Sequence, residues 1–181
     1  MDKTELREAE APCWLRPCEE ADGMEIYTAA AESIERVGKW MGWLTPSYSA
    51  SDSLEWARGA SADWSQGVRY EFVIIDAVGG QVCGCCGLNR INNEDLICNL
   101  GYWVRDSKVR RGIATASARM LRDFGIHRLG LKRIEIVVAD GNVASRGVAE
   151  KMGAAYEGVQ RMRLRVAERS HDAHMYACLA E

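Results

Sequence analysis

The spacing of apolar residues along the chain predicts a strand, two helices, three strands, a helix, a strand, a helix and two final strands. Cys13-Trp14-Leu15-Arg16-Pro17 reads as a short strand stopped by proline. Asp22 can cap a helix in which Met24, Ile26, Tyr27, Ala30, Ile34 and Val37 recur every three to four residues, with Gly38 at its end. A tryptophan-rich stretch follows, with Trp40 and Trp43 before the turn Thr45-Pro46-Ser47 and Leu54, Trp56 and Trp64 after it. Ser51, Asp52 or Ser53 is the expected cap of this second helix.

Residues 70–76 form a compact apolar run ended by Gly79-Gly80, a hairpin signal, and 81–90 make the return strand. Asn92-Asn93 turns the chain into a third antiparallel strand, 96–104. From Gly112 the period becomes helical, with Ile113, Ala116, Met120, Leu121 and Phe124 on one face and Gly130 in the turn beyond. Residues 134–138 are nearly all apolar and β-branched, as in a strand buried on both faces. A short helix over 143–152 closes at Gly153, and strands around 158–166 and 173–179 finish the chain. A crossover from 96–104 to 134–138 through one helix makes that pair parallel.

Composition narrows the class. With 181 residues, 48% of them hydrophobic, the chain suits one domain with an ordinary core. A formal net charge of −3 gives no reason to expect a nucleic-acid partner. No apolar run approaches the roughly 20 residues that span a bilayer, so no membrane association is expected. Residues 1–11 are charged and lack the apolar stretch of a signal peptide. The expectation is a flexible leader over 1–12, a single domain over 13–181, and a cytoplasmic location. Seven cysteines, an odd number, argue against a disulfide framework. In a regular strand Cys83 and Cys85 share one face with Cys86 opposite; with no second ligand pair downstream, they read as small buried hydrophobes, and no metal is expected.

The candidate chemistry begins where strand 96–104 runs into the next helix, through Val109-Arg110-Arg111-Gly112-Ile113-Ala114-Thr115. A helix start carries unpaired N–H groups and the positive end of the dipole. Gly112 permits close backbone approach, Ala114 does not obstruct it, and Arg110 and Arg111 add two cations, a combination suited to a pyrophosphate. It is neither a Walker loop nor the three-glycine dinucleotide fingerprint.

Several segments, in order, resemble the GNAT superfamily of N-acetyltransferases, and within it the RimJ/RimL branch that acetylates protein N-termini. They are Lys39-Trp40-Met41-Gly42-Trp43, Leu100-Gly101-Tyr102-Trp103-Val104, Arg110-Arg111-Gly112-Ile113-Ala114-Thr115, Arg133-Ile134-Glu135, Asn142-Val143-Ala144-Ser145, Glu150-Lys151-Met152-Gly153 and Glu157-Gly158, with Asp172 and Tyr176. The resemblance spans about residues 13 to 179. It implies an α/β (α+β) fold: a mixed, mainly antiparallel, twisted sheet of about seven strands, helices on both faces, and a central parallel strand pair that splays. It also implies acetyl-CoA as cosubstrate without a metal, direct transfer to a primary amine, most simply a protein N-terminus, and assembly as a homodimer. Arg110, Arg111, Gly112, Ile113, Ala114 and Thr115 would hold the pyrophosphate. Backbone groups of Trp103 and Val104 would pair with the pantetheine arm, with Asn142 nearby and the Val104 N–H as oxyanion donor. The first position of the family's loop, usually Gln or Arg, is Val109 here.

The resemblance also exposes departures. The tyrosine that protonates the thiolate in many members falls on Ala149. Ser145, by itself a helix-start hydroxyl that satisfies backbone, matches the serine offered for that role in the RimL type. The acidic residue proposed as base falls on Leu164. Glu71, Glu94 and Asp95 are substitutes that read first as surface carboxylates. His127, His171 and His174 read as structural or surface residues. Arg161, Arg163 and Arg165 alternate along one strand face, either merely solvated or drawing in an acidic substrate. Trp40, Trp43, Trp56 and Trp64 either pack the core or wall an acceptor pocket. Two other functions compete: acetylation of a small amine such as a polyamine or antibiotic, and a catalytically silent CoA-binding sensor.

Overall fold

Period-two and period-3.6 patterning fold in the expected order. The computed structural model, which describes residues 4–166 and 168–180, has strands β1 (Cys13–Pro17), β2 (Tyr70–Asp76), β3 (Val82–Asn92), β4 (Ile97–Val104), β5 (Arg133–Ala139), β6 (Ala155–Val166) and β7 (Arg169–Leu179). Its helices are α1 (Gly23–Ala31), α2 (Ile34–Val37), α3 (Ala50–Gln66), α4 (Ile113–Asp123) and α5 (Val143–Lys151). The strands form one seven-stranded sheet in the order β1-β2-β3-β4-β5-β7-β6. Every neighbouring pair is antiparallel except β4 and β5, which are joined through α4 and run parallel.

Alternation along the strands feeds two cores. On one face Phe72, Ile74, Leu88, Leu100, Ile134 and Ile136 pack with Ile113, Leu121 and Phe124 of the α4 segment and with Ala149 and Met152 around α5. On the other, Val73, Ile75, Cys85 and Trp103 pack under Ile26, Ala29 and Ala30 of α1 and Ala57 and Ala60 of α3. Trp64 lies in the first core, its ring 5.0 Å from both Tyr70 and Phe72, so it is a packing residue.

Several local expectations are corrected. The helix predicted from Asp22 to Gly38 is broken at Ser33, giving α1 and α2. The buried Ser33 hydroxyl donates to the Ala29 carbonyl at 2.8 Å and accepts from the Asp106 amide at 3.1 Å, tying the break to a distant turn. The cap of α3 is Ser49 rather than a residue of 51–53: Ser49 Oγ accepts from the Asp52 amide and Asp52 Oδ2 accepts from the Ser49 amide at 2.8 Å, a reciprocal box. β5 alternates half-buried with buried positions instead of being covered on both faces, because Val137 borders a cleft. The leader is tied down at Leu6, which exchanges two backbone hydrogen bonds with Leu15 and is 9% exposed; residues 1–3 of it lie outside the described residues.

A bulge reverses the cysteine assignment. Ile74 pairs with Gly84 but Ile75 with Val82, so β3 carries an extra residue. Gly84 has φ 146°, and a Cβ there would stand 2.1 Å from the Trp103 carbonyl oxygen. The phase therefore slips, placing Cys83 and Cys86 in the core beneath α4 and Cys85 in the other. All seven cysteines are free and buried.

Candidate active site

The turn before α4 is held by the elements beneath it. After β4 the chain makes a 3-10 turn, Asp106–Lys108. Arg105 reaches Glu32 at 2.5 Å, Ser107 donates to the same carboxylate, and Arg36 pairs with Asp106 at 2.6 Å. Lys108 pairs with Asp76 at the end of β2. The Arg105 guanidinium holds Glu32 down to about 2, and Lys108 holds Asp76 below its ordinary value. Arg105 and Lys108 are thus consumed in fixing the turn, whereas Arg110 and Arg111 are exposed and make no salt bridge with a described residue.

Arg110 and Gly112 both take positive φ, 62° and 76°. Such a backbone curls successive N–H groups toward one side. Gly112 is the N-cap of α4 and no side chain caps that end, so the amides of the first turn, at Ile113, Ala114 and Thr115, face outward without intrahelical acceptors. Ile113 is buried and anchors the start, its carbonyl oxygen 3.7 Å from Cys13 Sγ.

β4 and β5 pair only from Ile97 to Asn99 against Arg133 to Glu135, then part. Arg105 N–H donates to the Cys83 carbonyl at 2.7 Å, which fixes the phase of the β3–β4 ladder. By alternation, Trp103 turns its amide and carbonyl toward Cys85, while Tyr102 and Val104 turn theirs into the gap. The open edge is therefore carried by Tyr102 and Val104, and Trp103, expected there by its backbone, instead faces the opposite neighbour. The Val104 carbonyl is taken by Arg36 Nη2, leaving its N–H toward the gap.

A cavity of about 80 Å³ occupies the gap, bordered by Leu100, Tyr102, Val138, Asn142, Ser145 and Leu164 among others. Asn142 caps α5, its Oδ1 accepting from the Ser145 amide at 3.2 Å, and so fixes the first turn. Ser145 Oγ lies 2.9 Å from the Tyr102 hydroxyl, which also reaches the Ser145 carbonyl at 3.1 Å. Burial pushes the Tyr102 phenol up to about 12, so it remains a neutral donor. Ala149 is fully buried, far from a catalytic hydroxyl's needs. Tyr102 was legible only as part of a matched segment; its partnership with Ser145 depends on strand and helix meeting in space.

On the other face of the sheet lies a larger pocket, about 660 Å³, bounded by Trp43, Tyr48, Trp56, Asp52 and Glu71, with Gly87 and Gly101 in its floor. Gly101 and Tyr102 border both spaces. Trp43 packs edge-on to Tyr48 and Trp103 at 5.3 and 5.9 Å. Glu71, expected at the surface, is 8% exposed. It faces this pocket because β2 alternates, with Phe72 and Ile74 taking the opposite core. Its carboxylate lies across Gly87, where a Cβ would stand 2.0 Å from Oε2. Arg69 Nη1 is 4.0 Å away, but Arg69 is bonded more closely to Asp63, at 2.7 Å. Burial raises Glu71 to about 7, against the lowering by Arg69. A carboxylate inside an apolar run, opposite a glycine on the returning strand, is the sequence signal that could have marked it.

The remaining candidates lie apart. Glu94 and Asp95 are exposed in a turn held by Asn92. His174 bridges Asp140 and Tyr156 at 3.1 and 3.3 Å, and His127 lies in the π-helical turn after α4. Met162, at φ 51°, breaks the ladder between Gln160 and Leu164, so the arginine stripe is interrupted and Arg163 bonds Gln160. Burial raises the Cys85 and Cys86 thiols well above their ordinary value, which disfavours the thiolate a nucleophile would need. Among the described residues no three His, Cys, Asp or Glu side chains converge as a metal-ligand group. None of the described helices is long and apolar enough to cross a membrane.

The comparisons agree with this architecture. YdaF of Bacillus subtilis (strain 168), provisionally named a ribosomal N-acetyltransferase, is 27% identical over 171 residues, covering 91% of this chain and 90% of its own. RimL, a ribosomal L7/L12 alpha-N-protein acetyltransferase solved with coenzyme A, superposes with a TM-score of 0.88 at 19% identity, covering 97% and 98%. The microcin C7 self-immunity acetyltransferase MccE, solved with acetyl-CoA and AMP, gives 0.85 at 20% identity, covering 94% and 93%. At those identities the two structures speak for the fold. The acetyltransferase (GNAT) domain family matches residues 13–155, and with the parted parallel strands and the uncapped turn before α4 this makes the chain a member of the GNAT family of N-acetyltransferases.

Proposed function

We propose that the protein transfers acetyl from acetyl-CoA directly to a primary amine, and that the amine is a protein N-terminus. The observation that carries the reading is the gap between β4 and β5, with the uncapped, arginine-flanked turn before α4 at one side and an aromatic-walled pocket at the other. Acetyl-CoA fits the residues present. The pyrophosphate would meet the amides of Gly112 to Thr115 and the guanidinium groups of Arg110 and Arg111, none of which is committed to a described carboxylate. The N–H and C=O groups of Tyr102 that face the gap would take the pantetheine amides as a strand takes a neighbour, leaving the Val104 N–H for the acyl oxygen, and Asn142 borders the same space. When bound, acetyl-CoA supplies the activated acyl carbon.

The chain's own residues then divide the work. Val104 N–H is oriented to receive the oxygen on which charge develops. Ser145, held by Asn142 and hydrogen-bonded to Tyr102, is the proton donor for the departing sulfur. No cysteine has the environment of a nucleophile, which favours direct transfer. The aromatic pocket admits an extended peptide end, and the YdaF and RimL names support a protein acceptor. Seven free cysteines suit a cytoplasmic setting.

Isothermal titration with acetyl-CoA, then a screen of N-terminal peptides, polyamines and aminoglycosides with labelled acetyl-CoA, tests this. Saturable binding and peptide acetylation are expected, with kcat lowered about 100-fold in Ser145→Ala. Absence of acetyl-CoA binding overturns the reading, and turnover of small amines alone moves the acceptor class. Binding without any turnover favours a CoA sensor.

A further inference from the structure

We propose that Glu71 is the general base, taking the proton of the acceptor ammonium through one water lying over the glycine floor formed by Gly87 and Gly101. The inference rests on the acetyl-transfer reading above and assigns the step that the family correspondence leaves without a residue, since the expected position holds Leu164.

Three facts carry it. Glu71, Gly87 and Gly101 are cross-strand partners in a row over β2, β3 and β4, on the pocket side of the sheet. The carboxylate leans over Gly87 toward β4, and a Cβ on Gly101 would meet nothing nearer than Asn89 at 3.8 Å. Neighbouring strands lie about 4.8 Å apart, so an acid group over Gly87 is about one strand spacing from the β4 edge that borders the gap. An ammonium held over Gly101 would be within reach of the carboxylate through a single water. The second fact is cost. Among the described residues none donates a hydrogen bond to this carboxylate, and its nearest cation, Arg69, is 4.0 Å away and committed to Asp63. A buried, poorly compensated carboxylate is destabilising as structure, and a neutral residue of equal size would pack as well. The third is access: the carboxylate borders the larger pocket, where Trp43, Tyr48 and Trp56 can hold an alkyl-ammonium group.

The surroundings fit a base that is free near neutrality. Around Glu71 are Arg69, just before β2, Asp63 from α3, Cys85 from β3 and Cys18 after β1, with Cys86 on the opposite face of β3 and Asp52 across the pocket. The thiols are neutral, so one partly engaged cation opposes burial and Asp63. In the step, one ammonium proton passes to Glu71, and the freed lone pair forms the C–N bond as the C–S bond breaks. The second N–H proton reaches the sulfur through Ser145 Oγ, and Glu71 returns its proton to solvent, so one proton is released per turnover.

The test is Glu71→Gln, with Glu71→Asp beside it. Acetyl-CoA affinity equal to wild type is expected, with kcat reduced 100- to 1000-fold and KM changed less than threefold; the Asp variant recovers part of kcat. In wild type without acetyl-CoA, carbon-detected NMR should show one glutamate carboxyl titrating near pH 7 that is missing in Glu71→Gln. Turnover within threefold of wild type, a raised KM with unchanged kcat, or no carboxyl titrating above pH 6 overturns the assignment. Failure of wild type to bind acetyl-CoA instead overturns the functional reading. If Glu71→Gln does not fold, the NMR titration of wild type still decides.

Discussion

In the proposed reaction, the turn before α4 and the pocket over β2 and β3 serve the same chemistry by opposite means. The turn works through backbone: Arg110 and Gly112 hold positive φ, the first amides of α4 are left uncapped, and Arg110 and Arg111 face solvent. The pocket works through one buried side chain, Glu71, placed by strand alternation and given room by the missing side chain of Gly87. Backbone donors tolerate side-chain variation, so under this proposal Val109 can stand where the family resemblance leads one to expect Gln or Arg. A buried carboxylate tolerates almost none, because its value depends on every neighbour that desolvates or compensates it. Substitutions should therefore act weakly at the turn and strongly in the pocket.

Apart from replacing the catalytic side chains themselves, the largest effect is expected from Gly87→Ala. The new methyl would stand 2.0 Å from Glu71 Oε2 and 2.4 Å from its Cδ, so the carboxylate must leave its place. Overpacking of this kind costs about 1–3 kcal/mol, and acetyl transfer should fall at least 30-fold while acetyl-CoA affinity is retained. In a Glu71→Ala background the same change should cost little. Urea unfolding of both singles and the double gives the coupling, and additive costs would show that the close approach carries no energy. Glu71→Gln gives the matching pH signature. A carboxyl raised from 4.5 to about 7 makes the native state the better proton binder, so stability falls as pH rises from about 4.5 to 7 and is level above. The Gln variant lacks that fall and should gain about 3 kcal/mol relative to wild type between pH 4 and 8.

At the turn, Arg110→Ala combined with Arg111→Ala should weaken acetyl-CoA binding only about 10-fold at low salt, leaving kcat unchanged. The difference should shrink at 0.5 M salt, because exposed charges are screened. A loss beyond 1000-fold would mean that the side chains, not the amides, hold the phosphates, and the contrast between the two regions would collapse.

This contrast also explains what sequence could show. The order of elements along the chain, the parallel crossover and the turn at Gly112 follow from local periodicity and from a helix start, both written in neighbouring residues. The slip at Gly84 does not: a residue at φ 146° against the Trp103 carbonyl is a long-range constraint, and it exchanged the faces of Cys85 and Cys86. Glu71 was read as a surface carboxylate because carboxylates usually are, and only the pairing of β2 with β3 shows the space above Gly87. The Tyr102–Ser145 contact joins residues 43 positions apart. The matched segments identified the family, while the side chains that complete the pocket depend on which residues the sheet brings opposite one another.

The smallest effect concerns the support beneath the turn. Glu32 is held down to about 2 by Arg105, with help from Ser107. A carboxyl lowered from 4.5 contributes stability that is fully present above about pH 4.5 and is lost as pH falls through about 2. The Glu32 side chain is 30% exposed, so solvent screening reduces the contribution to roughly 1 kcal/mol. Glu32→Gln should therefore cost about that much at pH 7 and nothing near pH 2, as urea midpoints at the two values would show. The same variant should leave Glu71 titrating as before, because Glu32 serves the turn and not the pocket. If it moved the Glu71 titration, the two regions would be electrostatically coupled and could not be treated as separate devices.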